Sequence, residues 1–502
     1  MTNTTSHDLI DQVLDPGSFI SWDTAPVYGD ISDDYRATLD RAREKSGVDE
    51  AVITGEGTVN GARVAFVLSE FGFLGGSIGA ATARRIIDGI HRATDGGLPL
   101  LISPASGGTR MQEGTPAFAL MVSITTAVYR HKDAHLPFLV YLRNPTTGGV
   151  MASWGSAGHF TFAEPGALLG FLGPRVVELT TGTPIPEGVQ RAENLAARGV
   201  IDGVVSPGQL REAVVKIVDV LRPQTTAAHS LDAAAITSPE EPRIDVWDAI
   251  TATRRTDRPG LRNLVGRLSE HLIQLSGTGD GRVSPAVIVA LTRIKGQPCV
   301  LIGQDRHAQP PHADTELGPA ALRFARRGVA LAHGLGLPLV SVIDTPGAEL
   351  SAAAEEAGMA GSIARTLGEL VDVDVPTVSV ILGQGCGGGA LAMLPADTVL
   401  AAEHAWLSPL PPEGASAIIH RDTDHAPEMM REQRVSAFAL REAGIVDTLI
   451  PEHPDAADEP DEFTTRVLCS VATALRDLAS DPTKVGREHR FRHYERWAVE
   501  QG

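Results

Sequence analysis

Apolar and polar positions alternate along this chain in blocks that recur. From Leu98 the segment LPLLISPASGGTR runs as a short apolar strand into a glycine-containing loop, and from Leu337 LPLVSVIDTPGAE does the same. LPFLVYLRNPTTGGV and VPTVSVILGQGCGGGA follow, each a run of β-branched and large apolar residues that ends in a glycine cluster. Later come the strand-like HFTFAE and DTVLAAE, then GVIDGVV and GIVDTLI. The offset holds at 239 residues for Pro99 and Pro338, Ser106 and Thr345, Gly108 and Gly347, Pro137 and Pro376, Gly148 and Gly387, Gly149 and Gly388, and Glu164 and Glu403. The order is strand, glycine loop, helix, strand, glycine loop, helix. It predicts two α/β domains of one fold, mostly parallel in pairing, with functional loops at the carboxyl ends of strands.

The boundary falls in Arg222 to Arg243, rich in Pro, Ser, Thr and Ala and without a sustained apolar stripe. It divides the chain into residues 1–225 and 226–502. The charged, aromatic stretch after Pro482 reads as a terminal helix, either solvated or set against a partner.

Composition narrows the function. With 502 residues, 43% hydrophobic and 21% charged, the chain has ample material for two cores. A net charge of −19 argues against a nucleic-acid surface, so an anionic substrate requires a local basic pocket. Met1 to Asp11 has neither the basic segment nor the apolar core of a signal, and no apolar run is long enough to span a membrane, which makes the cytoplasm the expected address. Cys299, Cys386 and Cys469 are too few and too scattered for a disulfide framework or a zinc ribbon and read as reduced core thiols. No metal-ligand spacing is present, and no bound metal is expected.

Candidate chemistry therefore lies in the glycine loops: Ser106 to Thr109, Thr146 to Gly149, Thr345 to Gly347, and Gly387 to Ala390. Glycine after a buried strand lets backbone N–H groups converge on one point, and a helix starting there favours negative charge. Tight turns and close helix packing are the plainer use of such loops. Gly383, Gly385 and Gly388 also match a dinucleotide fingerprint, with Glu403 about twenty residues on. The first half repeats the strand, loop and Glu164 without that spacing, which weakens the match. No GxSxG elbow occurs, and His159 and His404 are bases or structural strand-end residues. What remains is a reaction that places negative charge on a carbonyl oxygen held by backbone donors; thioester enolates fit it.

FGFLGGSIG, SPASGGTRMQEGTPA, NPTTGGVMASWGS and PEGVQRAENLAARGVID closely resemble the carboxyltransferase beta subunit of bacterial acetyl-CoA carboxylase. WDAITATRRTDRPG, LIGQDR, VIDTPGAE, GQGCGGGALAM and LSPLPPEGASAI resemble its alpha subunit. The resemblance, from Gly17 to Ile450, implies a fused beta/alpha carboxyltransferase with one crotonase-like ββα superhelix per domain. It implies an N-terminal domain for acyl-CoA, a C-terminal domain for carboxybiotin, and active sites formed across a homodimer or higher assembly. Carried over by residue, the catalytic donors are Gly107 and Gly108 for the acyl enolate and Gly389 and Ala390 for the biotin enolate. Gly148, Gly149, Gly347, Gly388 and Arg110 are the substrate-binding candidates, with Arg84 and Arg85 also near the acyl-CoA loops. The reaction implied is carboxyl transfer from carboxybiotin to acetyl-CoA or another short acyl-CoA, giving malonyl-CoA or its homologue for fatty acid synthesis. A crotonase-type hydratase, isomerase or decarboxylase and a non-catalytic assembly subunit are the alternatives.

Two departures stand out. No cysteine precedes Cys299, so the zinc ribbon usual in beta subunits is missing, and the motif commonly read AEERG carries Ala357 in place of its basic residue. None of the five lysines lies in a Met-Lys-Met context. Biotin is thus expected on a separate carboxyl carrier protein, with a biotin carboxylase as the further partner.

Overall fold

The computed structural model describes residues 4–222, 237–309 and 317–500. It divides into two compact units, Met1–Asp219 with Gly279–Arg282, and Val220–Thr278 with Val283–Gly502. The expected boundary between residues 225 and 226, and most of the expected linker, lie outside the described residues.

In the first unit the strands Ile20–Ser21, Val52–Val59, Ala62–Ser69, Leu100–Ser103, Phe138–Leu142, Phe160–Ala163 and Gly203–Val204 form one sheet in chain order. The first three pair antiparallel and the rest parallel. The second unit repeats this order, with the antiparallel Val287–Ile294 and Gln297–Gln304 followed by the parallel Leu339–Thr345, Thr377–Cys386, Thr398–Ala402 and Thr448–Ile450. Leu100–Ser103 and Phe138–Leu142 are buried at every position, as parallel strands covered on both faces require. This is why they read as unbroken apolar runs.

One element of the repeat escapes a sequence scan. Helix Ala80–Asp95 lies on the first hairpin through Gly89, where a Cβ would stand 3.0 Å from Thr54 Cγ2, and helix Pro319–Leu335 lies on the second through Gly328, where a Cβ would stand 2.2 Å from Ile302 Cγ2. These two glycines are also 239 residues apart. Both let a helix press against a sheet without an intervening side chain.

The terminal helix Arg487–Glu500 packs on its own unit. Arg490 is fully buried and donates to Asp397 Oδ2 at 2.8 Å and to Val371 O at 3.1 Å, while Trp497 Nε1 donates to Ala443 O at 2.7 Å.

Charge is also buried beneath the second sheet. Arg258 donates to both carboxylate oxygens of Glu452 at 2.7 Å, and both side chains are wholly inaccessible. Burial alone raises the carboxyl of Glu452, but the Arg258 charge and hydrogen bonds outweigh it and hold the group well below the usual carboxylate range. Replacing Glu452 by Gln leaves the buried charge of Arg258 with only the longer contact to Asp455 at 3.6 Å, so Glu452→Gln is expected to lower unfolding stability by about 3 kcal/mol, measured by chemical denaturation.

Candidate active site

Both units build the same loop pair. Ser106 Oγ accepts from the N–H of Gly108 at 3.0 Å, and Thr345 Oγ1 accepts from the N–H of Gly347 at 3.2 Å. Gly108 has φ +115° and Gly347 φ +146°, a region L side chains rarely adopt. The second loop opens a short helix, Gly148–Met151 in one unit and Gly387–Leu391 in the other. A Cβ at Gly148 would lie 3.2 Å from both Gly107 O and Gly108 Cα, so in the first unit the two loops meet backbone to backbone.

The hydrogen bonds decide which donors remain open. The N–H of Gly107 donates to Gly75 O at 2.9 Å, that of Gly108 to Ser106, and that of Gly148 to Phe171 O at 2.9 Å. Gly107 and Gly108, the expected oxyanion donors of the first unit, thus have both N–H groups occupied, one by the carbonyl of Gly75 in another loop and one by the Ser106 hydroxyl. The N–H of Gly347 is occupied likewise. Two other positions are oriented to donate. Thr109 sits in a parallel bridge with Ile78 in which Ile78 N–H donates to Gly108 O and Arg110 N–H to Ile78 O, so Thr109's own N–H faces the opposite side. Gly149 is the second residue of its helix and has no acceptor within it. A Cβ at Gly149 would stand 3.7 Å from Thr109 Oγ1, which brings the two together.

In the second unit Ala348 bridges Leu317 as Thr109 bridges Ile78, and Gly388 occupies the second position of its helix. Gly389 and Ala390 are buried one step deeper, and Gly387, Gly388, Gly347 and Ala348 line a cavity of about 390 Å³. Apart from Gln309 its remaining wall is largely apolar, including Leu317, Leu350 and Leu410. The expected donors Gly389 and Ala390 belong to the same short helix, and Gly388, one residue before them, lines the cavity.

Arg110 is also misplaced by sequence reasoning. Its guanidinium is fully buried, 2.6 Å from Glu50 Oε1, and it donates to Ser77 O and Thr82 Oγ1 at 2.9 and 3.0 Å. It braces the fold and faces no solvent. Arg85 is similarly held by Asp49 and Val52 O, while Arg84 is exposed. Ala357 is exposed at the end of helix Ala352–Glu356.

Among the described residues no side chain at either loop pair is poised as a base or nucleophile. Burial pushes the His159 imidazole down to about 3, and its Nδ1 accepts from Phe138 N–H at 3.1 Å, so it is a neutral structural residue. The His404 imidazole is buried with Nδ1 3.1 Å from Glu452 Oε2, and its backbone N–H donates to Glu452 Oε1 at 3.1 Å. Burial pushes the Cys386 thiol, at the cavity floor, up to about 12, which keeps it protonated. Gly383 and Gly385 lie inside the strand Thr377–Cys386, and Glu403 Oε2 accepts the N–H of Glu452 at 3.0 Å. A dinucleotide fingerprint needs those glycines in the turn after the strand. Among the described residues no three or more His, Cys, Asp or Glu converge as a metal site would require.

The duplicated loops lie within a stretch that a known family covers almost entirely. The carboxyl transferase domain model matches residues 2–489. The chain belongs to the carboxyl transferase domain family. It is 53% identical over 496 residues to the probable biotin-dependent acyl-coenzyme A carboxylase beta3 subunit of Mycobacterium tuberculosis, covering 99% of each chain. It is 34% identical to the acetyl-coenzyme A carboxylase carboxyl transferase subunits beta/alpha of Salinispora tropica, covering 96% of this chain and 89% of that one. In fold it is similar to the transcarboxylase 12S core, with a TM-score of 0.73 at 21% identity over 95% of this chain and 90% of that one. The crotonase-like expectation accords with that likeness.

Asp344, at the end of the strand leading into the second unit's cavity, is fully buried, and burial pushes its carboxyl up to about 6. The folded state therefore holds a proton that the unfolded chain releases near 3.8. Stability from this group declines as pH rises from about 4 to about 6. The Asp344→Asn variant lacks that slope, so its melting temperature relative to the parent is expected to climb across this window in a thermal-melt pH series.

Proposed function

We propose that this chain moves a carboxyl group between biotin on a separate carrier protein and acetyl-CoA or another short acyl-CoA. It is the carboxyltransferase of a biotin-dependent acyl-CoA carboxylase. Residues 1–225 take the acyl-CoA and residues 226–502 the carboxybiotin; the beta-then-alpha order of motifs supports that division. The observation that carries the reading is the duplicated pair of open backbone donors, Thr109 with Gly149 and Ala348 with Gly388.

Carboxylated biotin supplies a labile N-carboxyl group. The N–H groups of Ala348 and Gly388 hold the negative charge that develops on the ring's carbonyl oxygen as that group departs. Thr109 and Gly149 hold the charge that develops on the thioester oxygen as the α-carbon gives its proton to the ring nitrogen that the carboxyl group has left and takes up the released carbon dioxide in its place. Such preorganised dipoles stabilise a developing oxyanion more than a neutral carbonyl. Buried, neutral His159 and the protonated thiol of Cys386 take no part in the proton transfer.

The first unit's donors border exposed apolar side chains. Phe118 Cε2 would lie 3.8 Å from a Cβ at Gly149, and Phe118 is 60% and Val122 71% exposed on helix Gly114–Asp133. A face of this kind next to a reaction site supports assembly as a homodimer or larger oligomer. The biotin carboxyl carrier protein and a biotin carboxylase complete the enzyme, which we place in the cytoplasm and in malonyl-CoA supply for fatty acid synthesis.

Incubation of the protein with malonyl-CoA and biocytin is expected to yield acetyl-CoA only when biocytin is present. Product formed equally without biocytin indicates a decarboxylase instead, and inactivity with both malonyl-CoA and methylmalonyl-CoA removes the reading.

Proline and alanine variants test the donors. Gly149 and Gly388 have no positive φ and lie in a first helical turn, where proline is tolerated. Gly149→Pro and Gly388→Pro each delete one N–H and are expected to lower kcat by about 100-fold to 1,000-fold. Gly149→Ala keeps the N–H, and the nearest atom to its new Cβ is Met121 Cγ at 3.5 Å, so this control should stay within a few-fold of the parent.

A further inference from the structure

Behind the second unit's cavity lies a fully buried side chain that the first unit has no equivalent for. Gln304 ends the strand Gln297–Gln304 and has no accessible surface. Its Oε1 accepts the N–H of Asp344 at 3.2 Å, and its Nε2 donates to Gly389 O at 2.8 Å. One amide thus ties the strand that leads into the loop Thr345 to Gly347 to the helix whose second residue is Gly388. In the first unit the strand Ala62–Ser69 ends instead in Ser69, whose Oγ is buried and unpaired.

We propose that Gln304 is a positioning residue for the half-reaction at the second unit's cavity, a role that rests on the function proposed above. Its two hydrogen bonds fix the separation between Ala348, four residues beyond Asp344, and Gly388, next to Gly389, so that both N–H groups meet one carbonyl oxygen. The amide is suited to this because it donates and accepts at once, and a peptide N–H and a peptide C=O are the groups it must join. Gln309 adds a second brace on the same loop: it is buried, and its Oε1 accepts from Thr345 Oγ1 at 2.7 Å. Asp344 is held from its other side by Gln384 N–H at 3.1 Å, so releasing Gln304 loosens the helix side of the pair more than the strand side. A displacement of about 1 Å between reacting groups is enough to reduce rate roughly 100-fold.

Two variants separate positioning from bulk packing. Gln304→Met keeps the length and removes both hydrogen bonds, whereas Gln304→Glu keeps the acceptor for Asp344 and removes the donor to Gly389 O. Each is assayed in the full chain for transfer from malonyl-CoA to biocytin, with malonyl-CoA affinity measured by calorimetry and folding by thermal melting. Expected is a fall in kcat of about 100-fold in Gln304→Met, and a loss in the same direction in Gln304→Glu, with malonyl-CoA affinity within twofold of the parent. A folded variant of either kind that keeps kcat within threefold of the parent overturns the proposal. So does a loss that falls on malonyl-CoA affinity instead of kcat. Inactivity of the parent protein would instead remove the functional reading on which the proposal stands.

Discussion

Two peptide backbones approach each other at the ends of adjacent parallel strands more closely than side chains allow, and the rest of the site follows from this. In the first unit Ser106 N–H donates to Pro145 O at 2.7 Å and Thr147 N–H donates to Ser106 O at 2.9 Å, which continues the sheet ladder past the strands and pulls the loops together. At that spacing only glycine fits at position 148, where even a Cβ would press on Gly107 O. The ladder occupies some N–H groups and turns others outward. Thr109 and Gly149 are open because their neighbours are bound, so the free donors are a remainder of the folding pattern. A reaction that needs two fixed dipoles and no mobile side chain is well matched to such a remainder, since reorganisation of the donors is already complete when charge develops.

The parts of this arrangement visible in the sequence are those that depend on local chemistry. The glycines at 108, 148, 347 and 387 show because each needs a positive φ that other residues resist, and the strands show because burial on both faces demands apolar runs. The 239-residue offset then fixes the duplication. What did not show depends on partners distant in sequence. Whether the N–H of Gly107 is free is decided by the carbonyl of Gly75, thirty-two residues earlier in a different loop. Arg110 stands beside a glycine loop and reads as an anion ligand; its partner Glu50 is sixty residues away, and only the fold brings the two to 2.6 Å. The repeat pairs Gly149 with Gly388 at the same offset, whereas Gly107 with Gly389 breaks it.

The two units share a backbone plan but differ in the polar groups buried beneath it. The first relies on Arg110 with Glu50, Thr82 and Tyr35 under the start of helix Ala80–Asp95. The second places Arg258, Glu452, Asp344 and Gln304 beneath the strand ends themselves. Buried charge of this kind adds little net stability compared with apolar packing, because desolvation opposes the Coulomb attraction. Its consequence is geometric: Arg258 Nη2 donates to Leu382 O at 3.2 Å and Asp344 Oδ1 accepts Gln384 N–H, so two side chains hold the strand that carries the cavity's glycines.

That bracing also accounts for the misleading dinucleotide fingerprint. Gly383 is glycine because a Cβ there would lie 2.9 Å from Asp344 Oδ1, and Gly385 because a Cβ would lie 2.5 Å from Trp406 O on the neighbouring strand Trp406–Ser408. Gly388 serves a third purpose at the helix start. Three glycines required by an ion network, a strand contact and a donor position happen to fall at the spacing that a pyrophosphate loop uses, and Glu403 completes the likeness while binding the backbone of Glu452. A motif of this length records where side chains are excluded, and the excluding atoms, here a carboxylate and a carbonyl, determine what the exclusion is for.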